Sequence, residues 1–182
     1  AREKAGTYYM KYKTDIDYFQ QYQPLGQKQR CGVSLAPGGK TSNCLFVADD
    51  GSLSQRPFDG TGHTALYLRT DEQGRAQLGA PVQDKDGNRT FLVLGLDQEG
   101  KLVAAKPTGD ATADAAALWR AEIQSEGTKE KDKEGNSFLQ SAPFLFYNDA
   151  WFTKTGKKRY IVADGATGWK ADDGASTLTS WP

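Results

Sequence analysis

Few residues in this chain have types suited to chemistry, and most of those fail on their spacing. Ser34-Leu35-Ala36-Pro37-Gly38-Gly39-Lys40-Thr41 ends like a phosphate-binding loop. A working loop has glycine where Ser34 stands, because the backbone must close on the phosphate, and it must join a strand to a helix. Here Pro37 and the two glycines read as a turn. Asp84-x-Asp86-x-Asn88 starts like a calcium loop, but the sixth and twelfth positions hold Arg89 and Gly95 where Gly and Glu are required. His63 is the single histidine, so a zinc site would fall back on carboxylates and the two cysteines. No Gly-x-Ser-x-Gly elbow presents a nucleophile to it. Nothing selects a catalytic pair among the 23 acidic residues. Neither an enzyme nor a resident metal or cofactor is expected.

The aromatic residues offer recognition instead of catalysis. Phe144, Phe146, Tyr147, Trp151 and Phe152 crowd around Asn148 and Asp149, and Trp169 follows a Gly-rich turn beyond Asp164. Strand alternation sends Phe144, Phe146 and Phe152 to a core and leaves Tyr147, Trp151 and Trp169 nearer turns. A ring that packs on the apolar face of a sugar, beside fixed acceptors for its hydroxyls, suits carbohydrate recognition. The candidate ligand-binding set is therefore Tyr147, Asn148, Asp149, Trp151, Asp164 and Trp169. The competing reading places these aromatics inside a small β core.

Composition narrows the partners and the compartment. Lys plus Arg and Asp plus Glu both number 23, so the formal net charge is zero. That argues against nucleic acid or an anionic membrane as partner, since both demand a concentrated positive field. No run approaches the roughly 18 apolar residues that span a bilayer. The chain opens at Ala1-Arg2-Glu3-Lys4 with no Met and no apolar leader, which implies a removed leader or a start inside a longer protein. Cys31 and Cys44 enclose a turn-rich segment and suit a local disulfide worth about 3 kcal/mol, the alternative being two reduced thiols. A bridge would place the protein outside the cell, secreted or at the cell surface. Asn88-Arg89-Thr90 is a formal glycosylation sequon.

These residues need elements to position them. Tyr8, Tyr12, Ile16 and Phe19 recur at helical spacing, so residues 1–26 read as an N-terminal helical extension ahead of a β domain at 27–182. Its aromatic stripe packs on that domain or supports self-assembly through residues 1–24. Beyond it, short strands alternate with acidic-Gly turns. CLFVAD and SLSQ flank Asp49-Asp50-Gly51; HTALYLR and RAQLGAPV flank residues 70–74; RTFLVLGL and KLVAAK flank Asp97-Gln98-Glu99-Gly100. The segment at 109–124 fits a helix by its alanines and a strand by the alternation of Trp119, Ala121 and Ile123. GTKEKDKEGN at 127–136 reads as a solvated loop, and SAPFLFYND, AWFTKTGKK, RYIVADG and STLTSWP as strand-sized units.

Three stretches, 45–69, 92–120 and 160–181, share one order: strand, acidic-Gly turn, strand, small residues, closing strand. Gly51, Gly100 and Gly165 take equivalent places, as do Leu66, Leu118 and Leu178. Three copies in one domain suggest a pseudo-threefold β architecture. The arrangement, with DATADAAALWRAEI and DDGASTLTSW in particular, resembles the β-trefoil superfamily of ricin-type lectins, fascin-like modules and Kunitz-type or fungal protease inhibitors. The Gln-x-Trp signature of the ricin-type lectins is absent from all three copies. The resemblance implies a mostly β, pseudo-threefold β-trefoil over about residues 30–182. The competing fold is α+β, with helices at 1–22 and 112–124 packed on an antiparallel sheet. The functional expectation is a non-enzymatic extracellular binding module for carbohydrate or glycoprotein. Its rivals are a surface-assembly subunit similar in layout to a pilin, and a protease inhibitor that presents residues 31–44 or 125–137.

Overall fold

A computed structural model describes residues 31–37, 41–123, 128–131, 137–141, 143–173 and 179–180. The expected helical extension at 1–26 lies outside the described residues, as do the tips of both loops considered for protease inhibition. In chain order the strands begin with β1 (Cys31–Val33), β2 (Ala36–Pro37), β3 (Cys44–Val47), β4 (Leu53–Arg56) and β5 (Leu66–Thr70). They continue with β6 (Ala76–Gln83), β7 (Arg89–Leu96), β8 (Leu102–Ala105), β9 (Trp119–Ile123) and β10 (Thr128–Lys131). The last are β11 (Ser137–Ser141), β12 (Pro143–Asn148), β13 (Tyr160–Asp164), β14 (Gly168–Asp172) and β15 (Thr179–Ser180). One short helix, α1 (Ala111–Asp114), precedes β9, and α2 (Asp149–Thr155) follows β12. The protein is mostly β, and every strand pair is antiparallel. Among the described residues no helix is long and apolar enough to cross a membrane.

Local chemistry explains the hairpins. Asp71-Glu72-Gln73-Gly74, Asp84-Lys85-Asp86-Gly87 and Asp97-Gln98-Glu99-Gly100 fold the same way. In each, the glycine N–H donates to the aspartate carbonyl, at 3.1, 2.9 and 3.0 Å respectively. The aspartate Oδ1 meanwhile accepts the backbone N–H groups two and four residues on. Asp is suited to the first position because its short carboxylate reaches back to its own turn. Gly closes each turn at a positive φ of 78°, 82° and 82°, a region that side chains disfavour.

The pairings run from β1 to β5, β6, β9, β12 and β15, and from β15 to β2. β2 belongs to the same 31–37 run as β1, so the sequence of pairings returns to its start. The β13–β14 hairpin joins this path through β12 and β7–β8 joins it through β6, while β3–β4 forms a two-stranded sheet of its own. A further hairpin, β10–β11, stands apart. Most buried residues of these strands form one core, and Leu145, Tyr160 and Val162 form a smaller second cluster. Trp119 sits at the centre of the larger one, fully buried, with its indole N–H donating to the Leu94 carbonyl at 2.9 Å. Leu35, Leu45, Leu66, Leu68, Leu78, Leu94, Phe146 and Ile161 pack around it. Each such side chain contributes about 1.5–3 kcal/mol on burial.

The structure corrects two local readings and resolves a third. AWFTKTGKK, expected as a strand, opens as α2: Asn148 caps it by accepting the Trp151 N–H at 3.0 Å, and Gly156 ends it at φ 77°. Thr128–Lys131, expected inside a solvated loop, pairs with Ser137–Ser141. At 109–124 both readings hold in turn, because Asp110 caps α1, a 3-10 turn covers Ala115–Ala117, and the chain then extends as β9. Cys44 begins β3 and is buried; as a thiol it is pushed up to about 11 by burial and, secondly, by the Asp59 charge. The Cys31 side chain lies outside the described residues, and the expected Cys31–Cys44 bridge with it.

Candidate functional site

The six residues expected to bind ligand fall into unlike environments. Asn148 is 1% exposed, and its side chain is committed at both ends. Its oxygen caps α2 and its amide donates to the Ala116 carbonyl at 2.9 Å. Trp169 is buried in the core, with its indole N–H donating to the Ser54 carbonyl at 3.1 Å. Asp164 is exposed beside the Gly165 turn, opposite Gly168 in register. Tyr147, Asp149 and Trp151 gather around α2. Tyr147 meets Phe152 and Tyr160 edge-on, at 5.6 and 6.0 Å between ring centres. Asp149 accepts the Arg120 Nε–H at 2.6 Å, with Arg75 at 4.0 Å.

Trp151 packs on the Asp97–Gly100 hairpin turn. Its ring lies against Gly100, Arg159 stacks over it at 5.4 Å, and Lys154 approaches at 5.8 Å. Arg159 in turn donates to the Gly100 carbonyl at 2.7 Å and pairs with Asp173 at 2.8 Å. Next to it, Glu122 accepts both the Tyr160 hydroxyl and the Lys158 ammonium at 2.7 Å. Burial first, then that hydrogen bond, pushes the Tyr160 phenol up to about 12. On this face the buried Trp151 indole N–H has no hydrogen-bond partner among the described residues, and Phe152, expected in the core, is exposed and offers its ring edge to a partner.

A concave site opens beside the first hairpin turn. A pocket of about 270 Å³ is lined by Asp49, His63, Pro81, Val82, Gln83 and Arg89, together with Thr61 and Gly62. Its construction begins at Asp59. The Asp59 Oδ1 accepts the Thr61 N–H at 2.9 Å and the Thr61 and Thr64 hydroxyls at 2.7 and 2.6 Å, folding 59–64 into a tight turn. Burial raises the Asp59 carboxyl, and bonds from Thr64 and Thr61 with the His63 charge outweigh it, holding it below the usual range. That turn lays Gly62 on the Pro81 ring, where any Cβ would collide.

His63 is fixed by the same turn. Val47 N–H donates to the His63 carbonyl at 2.9 Å, and His63 Nδ1 lies 2.6 Å from the Val47 carbonyl. A carbonyl only accepts, so Nδ1–H donates to Val47, and Nε2 lies 3.6 Å from Asp49 Oδ1. Phe46 stacks on the imidazole at 4.9 Å and 23°, and Arg56 lies over the Phe46 ring at 4.4 Å. Asp49 Oδ1 also accepts the Gln83 N–H at 3.1 Å. Gln83 faces Arg89 across the β6–β7 register, which brings that guanidinium to the same rim.

The pocket can hold a small polar ligand by hydrogen bonds to fixed groups, with Pro81 and Val82 also in its lining. Among the described residues, no three His, Cys, Asp or Glu side chains converge as metal ligands would. In the sequence His63 reads as a loop residue and Asp49 as a turn residue, and no spacing joins them to Gln83 and Arg89. Only the pairing of β6 with β7 and the docking of the 59–64 turn do so. No protein-family model and no curated protein matches this chain.

Proposed function

We propose that the chain is a non-enzymatic, extracellular binding module of β-trefoil type that recognises carbohydrate, free or on a glycoprotein. The return of the strand pairings to the 31–37 run supports the trefoil reading. So do the three hairpins that turn at Gly51, Gly100 and Gly165 with φ of 90°, 82° and 66°. One observation carries the functional reading: the pocket of about 270 Å³ in which Asp49, His63, Gln83 and Arg89 line one rim above Pro81. That volume sits at the small end of ligand sites and suits a single sugar ring. The ring's apolar face would lie on Pro81, while carboxylate, amide and guanidinium orient its hydroxyls. The α2 face, with Tyr147, Asp149 and Trp151, would supply secondary contacts on a larger glycan.

The single histidine provides the test. Its ring-proton resonance is unique in the protein, so a panel of mono- and disaccharides can be titrated against it by nuclear magnetic resonance. Selective, saturable shifts by a subset of sugars are expected, weakened by Asp49→Asn, which keeps an acceptor for the Gln83 N–H. If no saccharide moves the resonance of the folded protein, the reading fails.

A further inference from the structure

The charges of the pocket are unequally committed. Asp49 already accepts the Gln83 N–H and faces His63 Nε2 through the same oxygen. Thr61 is occupied by Asp59. Arg89 is exposed on the rim and, among the described residues, has no acid partner. Lys85 is exposed on the adjoining turn as well. The uncommitted charge of the site is therefore a guanidinium. Its fork of N–H donors matches a carboxylate in two parallel bonds, geometry that a hydroxyl cannot reproduce.

Resting on the carbohydrate reading of the same pocket, we propose that its ligand is an acidic saccharide whose carboxylate is taken by Arg89. Gln83 and Asp49 would read the neighbouring hydroxyls, and Pro81 would carry the ring. Asp49 is compatible with this ligand because its near oxygen is turned to Gln83 and His63. Its charge keeps the carboxylate on the Arg89 side and so sets the direction in which the sugar enters. A neutral hexose would fill the same volume and leave the guanidinium in water, losing the strongest single contact.

Sodium glucuronate, glucose and sodium acetate, each titrated into the full chain at constant ionic strength, decide the matter through the His63 resonance and calorimetry. Glucuronate is expected to bind at least about tenfold more tightly than glucose, as one charge-assisted contact implies. Arg89→Gln should bring glucuronate down to the level of glucose, and Arg89→Lys should leave it between the two. Equal binding of glucuronate and glucose, unmoved by Arg89→Gln, overturns the carboxylate inference and leaves the carbohydrate reading standing. Acetate as strong as glucuronate, with glucose silent, keeps the Arg89 contact and overturns the carbohydrate reading. Silence from all three overturns both.

Discussion

The indole of Trp151 lies directly on Gly100: a Cβ at residue 100 would stand 2.8 Å from Trp151 Cη2 and 3.1 Å from Arg159 Nε. Gly100 thus meets two demands, a positive φ of 82° and an empty side-chain volume. Gly87 closes a like-built turn at the same φ with nothing within 4 Å of its missing Cβ. The pair separates backbone strain from packing. Gly87→Ala is expected to cost about 1–2 kcal/mol through φ alone. Gly100→Ala should cost that plus a further ~1–3 kcal/mol for displacing Trp151 and Arg159. Chemical denaturation of both variants measures the difference, and equal losses would show that the Trp151 contact yields freely.

Asn148 joins two elements with one side chain. Its oxygen caps α2 and its amide holds the Ala116 carbonyl, all at 1% exposure. Asn148→Ala is expected to lose about 2–3 kcal/mol, combining a lost cap with a buried carbonyl left unpaired. Asn148→Asp keeps the cap but sets a carboxylate against a carbonyl, and Asn148→Ser keeps only the cap. Denaturation midpoints should therefore rank the wild type first and the serine variant above the alanine variant. An alanine variant as stable as the wild type would remove Asn148 from the structural role assigned to it.

The hairpins were legible because an Asp-x-x-Gly turn encodes itself within five residues, and Asp71, Asp84 and Asp97 each hold their own loop. The helix α2 was not, because Trp151, Phe152 and Thr153 favour strands by type. Asn148 and Gly156 bracketed it with a cap and a stop, and those signals outweighed propensity. By chemical type Asn148 and Trp169 suit ligand contacts. Their burial, decided by neighbours far off in the chain such as Ser54 and Ala116, commits them instead to the fold. The pocket is a tertiary product, since Asp49, His63, Gln83 and Arg89 come from three separate turns and have no common spacing.

Asp59 ties the acid stability of the fold to the pocket. Its carboxyl is held below its ordinary value of 3.8, so it is ionised in the folded protein at a pH where the unfolded chain would protonate it. A lowered folded pKa contributes stability that is present above 3.8 and lost as pH falls through the folded value. Stability of the wild type should therefore fall more steeply below pH ~4 than that of Asp59→Asn, with the two curves converging in acid. The His63 resonance should broaden or shift over the same range, because the 59–64 turn positions that ring. Parallel acid limbs for the two proteins would refute the linkage.

Tyr160 sets the corresponding limit in alkali. Its hydroxyl donates to Glu122 at 2.7 Å, a bond that only the protonated phenol can make. Burial is the larger cause and Glu122 the second, and together they push the group from 10.0 to about 12. Here the folded pKa is raised, so the contribution is present in full below 10.0 and is lost as pH rises through about 12. Tyr160→Phe removes both the proton and the bond. Its stability should lie below the wild type at neutral pH and change less between 10.0 and 12. Ultraviolet titration should show one fewer late-ionising tyrosine in the variant. Because Glu122 also accepts Lys158, the Lys158→Met variant is expected to leave this alkaline limb in place. If that variant flattens the limb as fully as Tyr160→Phe does, the effect belongs to the ion pair and not to the phenol.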